Sequence, residues 1–98
     1  MRCVPELHRY VVAILTATRE ARDVYLGAST RAGIALIRAA KALALLRGRD
    51  YVVPQDIKDL AAGVLGHRMI LASDARIQGR SEETVIDRLL GGVAVPGA

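Results

Sequence analysis

Apolar residues recur at the i, i+3, i+4 spacing of a helix face in four separate stretches of the chain. Pro5, at a first helical position, opens the first, predicted to run to about Thr18 with Leu7, Tyr10, Val11, Ile14 and Leu15 on its core face. Arg19-Glu20-Ala21-Arg22-Asp23 is charged and aperiodic, a surface connector, and Val24-Tyr25-Leu26 reads as a short extended, half-buried segment. The small-residue turn Gly27-Ala28-Ser29 then leads into the most helical run of the chain. The second helix is predicted over about Thr30 to Arg47, with Gly33, Leu36, Ile37, Ala40, Leu43 and Ala44 on one stripe. Further apolar residues, Ile34, Ala35, Ala39, Ala42, Leu45 and Leu46, extend nearly all round it, which marks it as the central helix. Its narrow polar line is Arg31, Arg38 and Lys41, with Arg38 about 10 Å beyond Arg31 along the axis.

Gly48 ends that helix, Arg47 and Arg49 suit its negative end, and Asp50-Tyr51-Val52-Val53 reads as an extended link. Pro54 opens a third helix with Ile57, Leu60, Ala61, Val64 and Leu65 on one face. Asp56 and Asp59 share another face and complement its N-terminal dipole. Gly66 closes it. His67-Arg68-Met69-Ile70-Leu71 either prolongs a helix or runs extended against Tyr51-Val52, because so short a run has no decisive period. Ala72 to Arg80 is polar, contains Gly79 and reads as a mobile loop. Ser81 caps a fourth helix with Glu82 and Glu83 in its first turn and Val85, Ile86, Leu89 and Leu90 inward; Gly91-Gly92 stops it before an extended tail, Val93 to Pro96.

No repeat or linker interrupts this plan, so residues 1–98 are expected to form a single all-α domain, a small four-helix bundle with short extended connectors. Composition agrees: aromatics are three Tyr with no Phe or Trp, so the core is aliphatic. The net charge of +4 comes largely from twelve scattered arginines, which favours anionic partners only weakly. One cysteine, Cys3, cannot form an internal disulfide and points to a reducing, cytoplasmic setting. The longest uncharged run is ten residues, Leu89 to Ala98, against the roughly 20 that a membrane-spanning helix needs. Glu6, His8 and Arg9 interrupt any signal-peptide core. Met1 fits either a natural or an artificial start.

Chemistry is sparse. His8, His67 and Cys3 make no zinc spacing, and no base, nucleophile and orienting acid come together, so no catalytic or metal residue is expected on this chain. No phosphate-cradling Gly-x-x-x-x-Gly-Lys-Ser/Thr loop is present, so the chain by itself is expected to hydrolyse no ATP. One position stands out. With Ser29 as N-cap, Arg31 falls in the first turn, where a cation meets the positive end of the helix dipole. Either it is simply solvated, or an anion from elsewhere repays the cost, since first-turn amides and a guanidinium together suit a phosphate.

The residues around it carry a resemblance. Gly27-Ala28-Ser29-Thr30-Arg31-Ala32 resembles the Gly-Ala-Ser-Pro-Arg-Ala signature of the C-terminal lid in MoxR-type AAA+ ATPases. Thr18-Arg19, Arg47-Gly48-Arg49-Asp50-Tyr51-Val52 followed by Pro54, His67-Arg68 and the terminal Val95-Pro96 match such lids in the same order. Thr30 stands where the signature has Pro, and Val53 where members more often carry Thr, a lost cap of ~1 kcal/mol. The resemblance implies a lid closing over ATP and Mg²⁺ held mainly by an absent α/β core. Gly27, Ser29 and Arg31 would face the nucleotide, with Arg31 as the "sensor 2" arginine acting on its own subunit's nucleotide or a neighbour's. It also implies a chaperone-like role, ring hexamers and von Willebrand factor A-type partner proteins. Two other readings of the residues stay open: a histone-fold-like dimerisation module covering the apolar second helix, and a basic DNA-binding domain, disfavoured because the third helix offers only Lys58 as a basic group in its middle.

Overall fold

The computed structural model describes residues 4–22 and 24–96, so Met1, Cys3 and Asp23 lie outside the described residues, as do the side chains of Leu26 and His67. Among the described residues the fold consists of five helices and a minimal two-stranded sheet: α1 (Pro5–Glu20), β1 (Val24–Leu26), α2 (Thr30–Leu46), α3 (Pro54–Leu65), a 3₁₀ turn Gly66–Arg68, β2 (Ile70–Leu71), α4 (Ser73–Ile77) and α5 (Glu82–Gly91). This is the all-α bundle that the periodicity predicts. The core is one cluster from every helix, aliphatic apart from Tyr10 and Met69, with α2 packed between α1 and α3, and α5 closing against α3 and α1.

The expected faces turn inward, with Ile37, Leu43, Leu60, Val64 and Leu89 only partly buried at their margins. Leu7, Tyr10, Val11, Ile14 and Leu15 of α1, Ile57, Ala61 and Leu65 of α3, and Val85, Ile86 and Leu90 of α5 are all interior. On α2 the interior stripe is Ala32, Gly33, Leu36, Ala40 and Ala44. Its far side is not covered by the described residues: Ile34 is 50%, Leu45 67% and Leu46 84% exposed. Among the described residues no helix is long and apolar enough to cross a membrane.

Three local details differ from the sequence expectation. First, α1 continues two residues past Thr18 to Glu20. Second, Ile70–Leu71 pairs antiparallel with Val24–Leu26 (Val24 with Leu71, Leu26 with Ile70, the ladder irregular between) and not with Tyr51-Val52. Third, the 72–80 segment is not a plain loop. Ala75 is 2% exposed, and burying it draws Ser73–Ile77 into a helical turn that ends at Gly79 with φ +79°.

Gly48 is where a positive φ is needed, at +81°. There the amide of Arg49 donates to the Ala44 carbonyl at 2.9 Å and that of Gly48 to the Leu45 carbonyl at 3.0 Å, a closing pair that satisfies the last carbonyls of α2. The turn sends the chain back along the molecule into α3 and fixes Arg47 and Arg49 on either side of it.

Candidate functional site

Two polar constellations are built on this frame, one at each end of α2. At the N-terminal end the chain enters α2 through Gly27-Ala28-Ser29. The Ser29 hydroxyl accepts from the Ala32 amide at 3.4 Å and the Ser29 carbonyl from the Gly33 amide at 3.2 Å, the cap expected from the sequence. Thr30 and Arg31 follow as the first two helical residues, and their amides have no intrahelical acceptor, as in the first turn of any helix. The Arg31 side chain is exposed, and it makes no hydrogen bond or ion pair among the described residues. Arg38 is also exposed further along, and Lys41 is half-buried.

The turn is pinned to the end of α1. The Thr18 hydroxyl, fully buried, donates to the Leu15 carbonyl at 2.6 Å and accepts from the Ala28 amide at 3.1 Å. Arg19 Nε donates to the Ala28 carbonyl at 3.3 Å. Both backbone polar groups of the buried Ala28 therefore belong to residues of α1.

The sequence places Gly27 in a small-residue turn, and the structure shows why a glycine stands there. A Cβ at Gly27 would lie 2.8 Å from the backbone N and Cα of Arg19. The residue is glycine because two backbones touch there. Gly27→Ala is expected to lower stability by about 1–3 kcal/mol, since the obstacle is main chain and cannot rotate away; a thermal melt beside wild type checks it.

At the other end of α2, Asp56 is fully buried beneath the two arginines of the turn. Its carboxylate accepts from Arg47 Nη1 at 3.0 Å, from Arg49 Nη1 and Nη2 at 2.9 and 2.7 Å, and from the Val53 amide at 2.9 Å. The Arg49 guanidinium beside it, then the Val53 amide and Arg47, hold its pKa down to about 2 against the burial that would raise it. Arg47 also reaches Asp59 through Nη2 at 2.8 Å, and Arg49 lies over the Tyr51 ring at 5.6 Å from its centroid.

The sequence reading treated Asp56 and Asp59 as dipole partners and missed this network. The available signal was Asp56 three residues after Val53 at the head of a Pro-started helix, where an N3 carboxylate reaches back to the N-cap amide. That contact partly replaces the cap that Val53 cannot supply. The remaining candidates do not converge: His8 is exposed and Glu82 and Glu83 stand at the head of α5.

A shallow apolar groove of about 200 Å³ runs between α1 and α2, lined by His8, Val12, Leu15, Thr30, Gly33 and Ile34 among others. It lies beside the residue that precedes Arg31.

Similarity to known proteins locates this arrangement. The model of a family described as the AAA lid domain matches residues 16–89. YeaC of Bacillus subtilis, described as uncharacterized, is 42% identical over 96 residues, which cover 98% of this chain and 30% of that protein. The chaperone MoxR1 of Mycobacterium tuberculosis is 45% identical over 96 residues, covering 89% of this chain and 26% of its own. A crystal structure from Cytophaga hutchinsonii, provisionally described as an ATPase, superposes with a TM-score of 0.87 at 40% identity, over 94% of this chain and 31% of that one. The chain thus spans less than a third of the length of each of these relatives. Matched from Thr16 to Leu89 and similar over nearly its whole length to MoxR-type proteins, the chain belongs to the AAA lid domain family.

Proposed function

We propose that this domain is the C-terminal lid of a MoxR-type AAA+ ATPase and that Arg31 is its sensor 2 arginine, directed at nucleotide phosphates held by an α/β core outside this chain. The observation that carries the reading is the state of Arg31: an exposed cation without a partner among the described residues, in the first turn of a capped helix and beside amides with no intrahelical acceptor. Left alone, that placement is electrostatically unfavourable, and a phosphate reverses its sign. The residues present fit an anion and form only one wall of a site.

Ser29 fixes the start of the helix and Gly27 lets the turn approach α1, so both place Arg31 without needing to touch the nucleotide. Bound ATP with Mg²⁺ would supply the phosphoanhydride bond and the negative charge. Arg31 would donate hydrogen bonds to the terminal phosphate and stabilise the charge that spreads over it during transfer. The apolar groove beside Thr30 and the exposed Ile34 give a core domain a surface to close against. Rigid rotation of the lid would then carry nucleotide state to neighbouring subunits of a cytoplasmic ring hexamer, and through it to client or von Willebrand factor A-type partner proteins in a chaperone-like role.

The decisive experiment compares ATP turnover of the full-length protein with and without Arg31. A simpler check uses the chain alone. Because one arginine and one helix terminus are a single wall, titration calorimetry of residues 1–98 with Mg-ATP is expected to give no micromolar affinity and no turnover. Tight binding by the isolated chain would mean that the site is complete here and the lid reading is wrong.

A further inference from the structure

We infer that Thr18 and Arg19 are positioning residues for Arg31, an inference that rests on the sensor 2 reading and extends it to the end of α1. A guanidinium that must meet a phosphate is useful only if the backbone carrying it is held; a displacement of about 1 Å can cost roughly 10²-fold in rate. Arg31 stands three residues after Ala28, and Ala28 is held by both of its backbone groups. Its amide donates to Thr18 Oγ1 and its carbonyl accepts from Arg19 Nε.

The same threonine hydroxyl donates to the Leu15 carbonyl, so it is held at the end of α1 and does not merely rest against the turn. Gly27 closes the approach on the backbone of Arg19, and Gly33, two residues past Arg31, meets Leu15 and Val11, its Cβ position being 2.7 Å from Leu15 Cδ1. Contacts on both sides of Arg31 therefore come from one helix. The register of the first turn of α2 is set by α1, and Thr18 is the buried polar group at the joint.

Packing alone does not account for this hydroxyl. A valine would fill the same volume at residue 18, but it would leave the buried Ala28 amide without an acceptor and free the turn to shift. A serine would keep both hydrogen bonds and lose one methyl group.

The test joins a nucleotide-free measurement with a double-mutant cycle. By hydrogen exchange on the chain, Thr18→Val is expected to speed exchange of the Ala28 amide by at least ~10-fold while amides in the middle of α3 and α5 keep wild-type rates. In the full-length ATPase, Thr18→Val is expected to lower kcat by roughly 10- to 100-fold and Thr18→Ser to stay near wild type. In an Arg31→Ala background, Thr18→Val should cause no further loss, because its effect passes through the missing side chain.

If Arg31→Ala is slow but Thr18→Val turns over like wild type, the positioning inference is overturned. The same conclusion follows if Thr18→Val costs the same factor with and without Arg31. Unchanged exchange at Ala28 also overturns it. Should Arg31→Ala itself hydrolyse ATP normally, the sensor reading has failed, a different and distinguishable result. If Thr18→Val does not fold, the cycle is decided by Arg19→Met, which removes only the bond to the Ala28 carbonyl at an exposed position. A several-fold loss that vanishes in the Arg31→Ala background supports the inference, and an uncoupled or absent loss overturns it.

Discussion

On the sensor 2 reading, Arg31→Ala in the full-length protein is expected to reduce ATP turnover by one to three orders of magnitude while leaving the fold of the lid intact. An arginine that stabilises a transferring phosphoryl group is worth roughly 10³–10⁵ in rate, and one that reaches the nucleotide from a separate lid falls at or below that range. Arg31 is exposed, without a partner among the described residues, and next to the positive end of its own helix, so its removal deletes few contacts and relieves a small repulsion. The melting temperature of the isolated domain should stay within about 2–4 °C of wild type. Arg38→Ala is the control, lying on the same polar line about 10 Å further from the proposed anion. Wild-type turnover for Arg31→Ala, or a strongly destabilised lid, would make Arg31 a structural residue.

Asp56→Ala is expected to be the most destabilising single change at a polar side chain of the domain, by about 2–4 kcal/mol. The carboxylate is fully buried and holds two guanidinium groups and the N-cap amide of α3. Without it, Arg49 loses its carboxylate partner, Arg47 keeps only Asp59, and Val53 loses the acceptor that starts the helix. Partial solvent access to the arginines keeps the cost below that of stranding a wholly buried charge. At ~4–8 °C per kcal/mol for a domain of this size, the thermal midpoint should fall by more than about 10 °C. Asp59→Ala, at the exposed end of the same network, should cost far less.

The network also sets an acid response. Asp56 titrates at about 2 in the folded chain, below the ordinary 3.8, so as pH falls the unfolded chain takes up this proton first. Its contribution is complete above about pH 4 and is lost as pH falls through about 2. Screening by solvent around Arg47 limits the effect to ~1–2 kcal/mol. Chemical denaturation measured between pH 6 and pH 2 should show wild type losing this increment and Asp56→Ala failing to lose it.

The turn before α2 and the Asp56 network mark where sequence reading stops. The four long helices are legible because a repeating apolar face is a local property, and Pro5, Pro54, Ser29, Ser81 and Gly48 act on the residues beside them. The Gly27–Ala32 signature was legible too, because its residues are contiguous. The pairing of Ile70–Leu71 with Val24–Leu26 was not, since two and three residues carry no usable period and the partners are far apart in the chain. The helical turn at Ser73–Ile77 was likewise hidden in a polar segment whose single buried residue is Ala75.

What the sequence determined by itself is the helices, their core faces and the placing of Arg31 in a capped first turn. Tertiary structure decided what those residues touch. Thr18 and Arg19 meet Ala28 only because the chain reverses through β1 and lays Gly27 against the end of α1. Asp56 becomes a buried acceptor only because the turn at Gly48 brings Arg47 and Arg49 over the head of α3. Hydrophobic periodicity reports which side of a helix leaves water. Which polar group waits on the other side of a turn depends on how the helices pack, and no local pattern encodes that.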